Sequence, residues 1–474
     1  MRFSSQLLLF GQLLVNVPLA LSLKVDADSA DSLKSAAQTA AASAVNFYNN
    51  RDPSVRNIPG QFYNTWWEGG AFFTFLINYW HWTGDDQYND IVNKGMLWQK
   101  GDSNDFDPSN ASLYMGNDDQ EFWALAAATA IEQKFPDVPN NPSWLSLAQG
   151  AFNDFVDRWN QDKAECGGGL RWQVNSIQGS GYNSKNAISN GNFFQLAARL
   201  ARYTNNDSYT IWANTVYDWT LSVPLLDNKT WFLNDSIQIS QDCGAPSPQQ
   251  WSYNYGSYIA GLAYMYNITN GGAKYKTGID GLMTQLFKTF FPEQFGGNTL
   301  SEVSCEPYHD CNRDQIIYKG LITNWLSLVS QLAPYTLGEI EPKLKASAEA
   351  AGTQCSGPNN ECGIVWHNAT WDGSSGIEQE MAALSAFANT LVLYQSAQSG
   401  SYTPPNKPAP VTSNTGGNST SDPSGGQSRG GEQSLPTPKK VNAGDRAGAA
   451  ILTIVFTTAW IGMMVWVAYG EFGF

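Results

Sequence analysis

Two adjacent carboxylates, Asp118 and Asp119, stand in the stretch Met115-Gly116-Asn117-Asp118-Asp119-Gln120-Glu121-Phe122-Trp123. Downstream, Trp123, Leu125, Ala126, Ala127, Ala130 and Ile131 favour helix and supply i, i+3 and i+4 pairs, while Gly116 and Asn117 punctuate the chain just before it. The pair is therefore expected at a helix N-terminus, where unpaired amides and the positive end of the helix dipole stabilise negative charge. Carboxylates that cleave a glycosidic bond sit about 5 Å apart in a retaining enzyme, and further apart in an inverting one, which fits a water between them. Neighbours on a helix suit the shorter separation. One would attack the anomeric carbon, and the other would protonate the leaving oxygen and later activate the acceptor. Repulsion between them raises one of the two pKa values, as an acid catalyst requires. Asp is also a common N-cap and first-turn residue with no chemistry attached, so position in the fold has to decide.

The same tripeptide recurs at Asp85-Asp86-Gln87, behind an apolar helix and Thr83-Gly84, where it reads as a turn and cap. The whole chain separates the two copies. Twelve helical patterns run over 28–48, 66–82, 85–100, 118–134, 142–160, 187–203, 207–223, 253–268, 274–291, 314–332, 339–354 and 376–396, and strand-like alternation is scarce. Links after even-numbered helices are mostly short (83–84, 204–206, 269–273, 333–338). Those after odd-numbered helices are long (51–65, 101–117, 161–186, 224–252, 292–313, 355–375). Three of the short links share a Thr followed five or six residues later by Tyr88, Tyr209 or Tyr275. The expectation is an all-α fold, an (α/α)6 toroid of six helix hairpins, with even helices inside and odd ones outside. All long loops then gather on one face, at the N-termini of the inner helices. Asp118 and Asp119 fall on that face and Asp85 and Asp86 on the other. The inner-helix starts carry Trp66-Trp67-Glu68-Gly69-Gly70, Ser189-Asn190-Gly191-Asn192, Tyr253-Asn254-Tyr255-Gly256, Arg313-Asp314-Gln315 and Glu378-Gln379-Glu380, polar and aromatic groups where a closed core would want aliphatics.

The net charge of -15 and pI near 4.6 exclude an extensive basic patch, and with it nucleic acid or an anionic membrane surface as partner. Neutral polymers remain. The 18 Trp, 21 Tyr and 23 Phe can stack on sugar rings, although most must be core. Arg2, the apolar run 7–17 and Ala20-Leu21-Ser22 read as a signal peptide, 1–22. The catalytic domain spans 23–400, and a Pro/Gly/Ser/Thr-rich stalk follows over 401–441. Residues 442–474 read as a lipid-anchor signal with Asn442, Ala443 or Gly444 as attachment site, the alternative being a retained transmembrane helix. Asn110, Asn206, Asn228, Asn234, Asn267, Asn368 and Asn418 are N-glycosylation acceptors. All six cysteines lie in long loops, and three disulfides are expected to stiffen the functional face: Cys305 with Cys311 and Cys355 with Cys362 by proximity, leaving Cys166 for Cys243. His81, His309 and His367 are scattered and no Cys-x-x-Cys exists, so no metal is expected; no nucleotide fingerprint is present, and no cofactor is implied. The match Gly426-Gln427-Ser428-Arg429-Gly430 lies in the stalk and is no nucleophile elbow.

The motifs Met115 to Gln120, Gly167-Gly168-Gly169-Leu170-Arg171-Trp172, Ser189-Asn190-Gly191 and Tyr253-Asn254-Tyr255-Gly256 resemble glycoside hydrolase family 76, in order, over roughly 25–396. More closely, the chain resembles the lipid-anchored fungal mannan endo-1,6-α-mannosidases of cell-wall biogenesis. The resemblance implies an (α/α)6 fold and retaining chemistry, with Asp118 as nucleophile and Asp119 as acid/base. It implies a substrate of α-1,6-linked mannose, in mannan or in the glycan core of a lipid anchor. It further implies transfer to wall β-glucan as acceptor, at the outer face of the plasma membrane or in the wall. Substrate-binding positions are expected at Trp66, Trp67, Asn117, Arg171, Trp172, Asn190, Asn254 and Asp314. For Arg171 the other reading is a salt bridge with a loop carboxylate, for the tryptophans packing, and for Asn190, Asn254 and Asp314 helix caps. Plain hydrolysis of α-1,6-mannan is one alternative function, and a non-catalytic wall glycan-binding protein on the same ring is another.

Overall fold

A computed structural model describes residues 23–394 and, in the tail, residues 453, 457–460 and 463. The expected signal peptide, the stalk with Asn418, the attachment site at Asn442 and most of the C-terminal tail lie outside the described residues. The described tail positions are helical and exposed, and among the described residues no helix is long and apolar enough to cross a membrane.

Among the described residues the chain forms twelve α-helices: α1 (Ala30–Asn49), α2 (Glu68–Thr83), α3 (Asn89–Trp98), α4 (Asn117–Glu132), α5 (Trp144–Gln161), α6 (Ala187–Thr204), α7 (Asp207–Ser222), α8 (Ser252–Ile268), α9 (Ala273–Phe290), α10 (Arg313–Leu332), α11 (Leu337–Gln354) and α12 (Ile377–Thr390). Helix α2 packs on α4, α4 on α6, α6 on α8, α8 on α10, α10 on α12, and α12 back on α2. The even helices thus close an inner ring. Outside it, α3 covers α2, α5 covers α4, α7 covers α6 and α9 covers α8, while α11 lies on α10 and α12, and α1 chiefly on α12. The fold is an (α/α)6 toroid.

The sequence decides which helix goes where. In α7 the buried positions Tyr209, Ala213, Val216, Tyr217 and Thr220 recur at i, i+4, i+7, i+8 and i+11, one apolar stripe against the ring. By contrast α12 is buried at every position and α6 from Ala187 to Ala201, so these helices are enclosed on all sides. In the short turns, Gly84 and Asn205 end α2 and α6 in the left-handed conformation. The hydroxyls of Thr83, Thr204 and Thr269 donate to carbonyls one turn back, those of Tyr79, Leu200 and Met265. The link 133–143 between α4 and α5 is longer than the other turns on that face; Asp137 within it accepts the Trp144 N–H at the start of α5.

The long loops are tied together in two ways. Cys166 pairs with Cys243, Cys305 with Cys311 and Cys355 with Cys362. A small antiparallel sheet, β1 (Ser184–Asn186), β2 (Ser236–Gln238) and β3 (Pro246–Ser247), joins the loop before α6 to the loop before α8, with Lys185 opposite Ile237. Cys166–Cys243 links the same two loops.

Candidate active site

Helix α4 opens inside the long-loop face with Gly116 as its N-cap. The strand-like approach is held by residues 171–174: Asn117 N–H donates to the Trp172 carbonyl (2.8 Å), Asn117 Nδ2 to the Arg171 carbonyl (2.9 Å) and Val174 N–H to the Met115 carbonyl (3.3 Å). On the other side, Arg158 of α5 donates to Asn117 Oδ1 (2.9 Å) and Gln120 Oε1 (2.5 Å). The first turn of α4 is thus fixed from two directions, and it carries Asp118 and Asp119 into a cleft of about 480 Å³.

Asp119, the third residue of the helix, turns back and accepts the Gly116 N–H at 2.6 Å. Asp118 Oδ1 accepts the Asp119 N–H at 3.1 Å and is also held by the Asn186 side chain. Glycine at 116 is a matter of space: a Cβ there would lie 2.1 Å from Asp118 Oδ1. Burial, and then the charge of Asp119, push the Asp118 carboxyl well above the usual carboxylate range, against the amide and Asn186 bonds that favour ionisation. Burial pushes Asp119 up to about 7; the Gly116 bond opposes this and the nearby charge of Asp314 adds to it. Both carboxyls of the turn are raised, and side by side they titrate as a coupled pair.

Of the positions expected to bind substrate, Trp67, Trp172 and Asp314 line the cleft. Trp67 Nε1 donates to Asp314 Oδ1 at 2.9 Å and its ring packs on Phe122 with centroids 4.6 Å apart. Trp172 is 42% exposed, a free face at the rim. The others stand behind the walls. Trp66 is buried, stacks on Trp123 and donates to Gln99 at 2.8 Å. Arg171 makes the loop salt bridge, to Asp162 at 2.6 Å, and lies over the Tyr182 ring. Asn190 clamps both backbone groups of Leu170. Asn254 donates to Asp235 at 3.1 Å.

Asp235 is a cleft residue that spacing did not single out, as are Asn186, Trp251, Gln238 and Tyr318; Tyr253, which opens one of the inner-helix motifs, also lines the cleft. Tyr253 and Tyr318 stack with centroids 3.8 Å apart, forming an aromatic wall. Asp235 precedes β2, its N–H donating to the Ser247 carbonyl and its carbonyl accepting the Ala187 N–H. Four aspartates therefore line the cleft, and among the described residues no Lys or Arg does. Below the pair, Glu121 is fully buried with neither oxygen hydrogen-bonded, and burial followed by the Asp118 charge raises its carboxyl well above its ordinary value. A second cavity of about 570 Å³ shares Asn64, Thr65, Trp67 and Asp119 with the cleft, and is otherwise walled by Tyr63, Trp66, Asn110, Tyr114 and their neighbours.

An adjacent pair of this geometry at the mouth of an (α/α)6 ring agrees with a family match: the model of Glycosyl hydrolase family 76 covers residues 32–402. The chain belongs to that family. It is 37% identical over 457 residues to a mannan endo-1,6-alpha-mannosidase of Saccharomyces cerevisiae, DCW1, covering 94% of this chain and 96% of that one. A second from the same yeast, DFG5, is 35% identical over 408 residues, 85% of each chain. Among solved structures, Dfg5 from Chaetomium thermophilum in complex with glucosamine superposes with a TM-score of 0.72 at 36% identity, over 78% of this chain and 92% of that one. An inactive variant of an α-1,6-mannanase of Salegentibacter sp., bound to α-1,6-mannotriose, shares the fold with a TM-score of 0.58 at 16% identity, over 76% and 99% of the two chains.

Proposed function

We propose that this family 76 protein is a retaining glycosidase that cleaves α-1,6-linked mannose and passes the product to a second glycan at the fungal cell surface. The observation that carries the reading is the Asp118–Asp119 pair on one turn of α4, Asp118 buried and Asp119 half-buried with its carboxyl raised to about 7. Asp118 attacks the anomeric carbon, and Asp119 gives its proton to the leaving oxygen, then takes one from the incoming hydroxyl. The mannosidase relatives and the mannotriose complex supply the sugar and linkage. The cleft is acidic and aromatic, with no Lys or Arg lining it among the described residues, which suits neutral sugars or an amino sugar better than a phosphate. Glucosamine bound to the Chaetomium protein agrees with that chemistry.

In transfer the acceptor sugar enters the cleft beside Asp119, which takes its proton. The acceptor in this reading is β-glucan, the donor mannan or the glycan core of a lipid-anchored protein. The enzyme itself is held at the outer face of the membrane or wall by a lipid at Asn442. The test is product analysis by mass spectrometry with an α-1,6-mannooligosaccharide, with and without a β-glucan oligosaccharide, for wild type and Asp119→Asn. Mannose–glucan conjugates absent from the variant are the expected result. Shortened mannan alone would mean plain hydrolysis, and donor binding without any product would mean a glycan-binding protein.

A further inference from the structure

Six of the N-glycosylation acceptors lie in described residues, and the fold treats them unequally. Asn234 Nδ2 donates to the Pro224 carbonyl at 3.0 Å and Asn267 Nδ2 to the Leu332 carbonyl at 3.4 Å, so both nitrogens are engaged inside the structure. Asn206 caps α7 on the short-turn face, and Asn228 and Asn368 sit in loops apart from either cavity. Asn110 differs from all of these. It is exposed, and it forms part of the wall of the second cavity, of which Asp119 forms another part. Its Nδ2 also donates, at 3.5 Å to Gln61 Oε1, but the acceptor is a side chain, from the loop before α2 and part of the same wall, and not a backbone carbonyl.

The segment around Asn110 is stiff. Ala111 N–H and Ser112 N–H both donate to the Pro108 carbonyl, Tyr114 N–H and Met115 N–H to the Ala111 carbonyl, and Ser112 Oγ to Asp107 at 2.5 Å. Met115 leads directly into Gly116, whose N–H holds Asp119. A sugar on Asn110 would therefore be attached at a fixed place relative to the acid/base. Around it Tyr63 and Tyr114 are 49% and 67% exposed, broad amphipathic faces of the kind that stack on pyranose rings.

We propose that an N-linked glycan on Asn110 packs into this cavity as a self-carried lid, limiting the length of saccharide that passes Asp119. The modification joins Nδ2 to the anomeric carbon of an oligosaccharide; the amide loses a proton and the lipid diphosphate of the secretory donor leaves. The lid's effect on catalysis rests on the assignment of Asp119 as acid/base.

The experiment uses full-length protein purified from a fungal host, the Asn110→Gln variant, and wild type trimmed by an endoglycosidase after folding, which avoids any substitution. Glycopeptide mass spectrometry should find Asn110 occupied. Hydroxyl-radical footprinting should oxidise Tyr63 and Tyr114 at least threefold faster in the variant and the trimmed protein. Turnover of long α-1,6-mannan should rise at least threefold in kcat/KM, with that of α-1,6-mannotriose unchanged. An unmodified Asn110, equal oxidation of the tyrosines, or equal changes for long and short substrates would each overturn the lid. If wild type turns over neither saccharide, the mannose reading fails, while footprinting still decides whether the glycan fills the cavity.

Discussion

The tripeptide Asp-Asp-Gln follows α2 on one face of the ring and begins α4 on the other. At the first copy Asp85 stands at the surface. Burial there would raise its carboxyl, but the Tyr79 hydroxyl and the Gln87 backbone and side-chain amides outweigh it and hold the group below its ordinary value. At the second, the long loops close over the same residue types, burial dominates, and both carboxyls move up. Gln87 is exposed, whereas Gln120 is buried between Arg158, Asp154 and the Asp105 carbonyl. The contrast teaches that the chemistry of an acidic pair is set by what excludes water from it, here the loops of the odd-to-even connections.

The largest test of that contrast is substitution. Asp118→Asn or Asp119→Asn should lower kcat on α-1,6-mannooligosaccharides by about 10³-fold or more, and Asp85→Asn or Asp86→Asn should leave it within about twofold. Comparable losses at both faces, in steady-state assays, would remove the distinction.

The glycines beside the two pairs should separate activity from stability. Gly116→Ala forces the Asp118 carboxylate aside, since the new Cβ would be 2.1 Å from it, and kcat should fall on the order of 10–100-fold. Gly84→Ala meets nothing within 4 Å but must adopt φ +78°. Stability should fall by about 1–2 kcal/mol with kcat unchanged, readable by denaturant titration.

The pH dependence should carry opposite signs. Asp119 keeps its proton to about 7 when folded and loses it near 3.8 when unfolded, so its burial destabilises the fold progressively as pH rises between those values. Asp119→Asn should therefore raise Tm at pH 7 and not at pH 4, on the order of 2–4 °C for each kcal/mol relieved. Asp85, depressed when folded, stabilises above its ordinary 3.8 and loses that contribution as pH falls through its folded value. Asp85→Asn should lower Tm at pH 7 and have no effect in acid. Calorimetry across pH 3–8 reads both, and kcat should decline on the alkaline side of about 7 as Asp119 loses its proton.

The smallest effect belongs to the cleft wall. Trp67→Phe deletes the bond to Asp314 while keeping the ring against Phe122, and KM should rise by roughly 5–10-fold, an increment of about 1–1.5 kcal/mol in binding.

The ring itself was legible because helix periodicity and the alternation of link lengths are local properties. Each of the twelve helices starts within a few residues of its pattern and the first eleven end so, while the end of the last pattern, 395–396, lies outside the described residues. The small sheet left no such trace, because β1 and β2 are three residues long and β3 two, too short to show alternation. Asp235 is placed by that sheet and by Asn254, which explains why it could not be read from spacing. The motif residues Asn117, Arg171 and Asn190 stand out in sequence, yet Asn117 is bonded to the Arg171 carbonyl and to Arg158, Arg171 to Asp162 and the Tyr182 carbonyl, and Asn190 to both backbone groups of Leu170. A motif marks a site's framework as readily as its contacts. Among the tryptophans, only the third dimension separates Trp67 in the cleft from Trp66, one residue earlier, stacked on Trp123.

Ring closure has a consequence for biosynthesis. Helix α1 docks on α12, Leu23 N–H donates to the Cys355 carbonyl, and the Tyr394 hydroxyl reaches Ala27 across 367 positions of chain. Helix α1 therefore emerges from the ribosome long before its main partner exists, with its apolar face uncovered. Completion of the ring has to wait for the last helix, which leaves the nascent chain open to misassembly until then. The same adjacency means that a permuted ring, joined between Tyr394 and Leu23 and opened at a short turn such as 205–206, should still close.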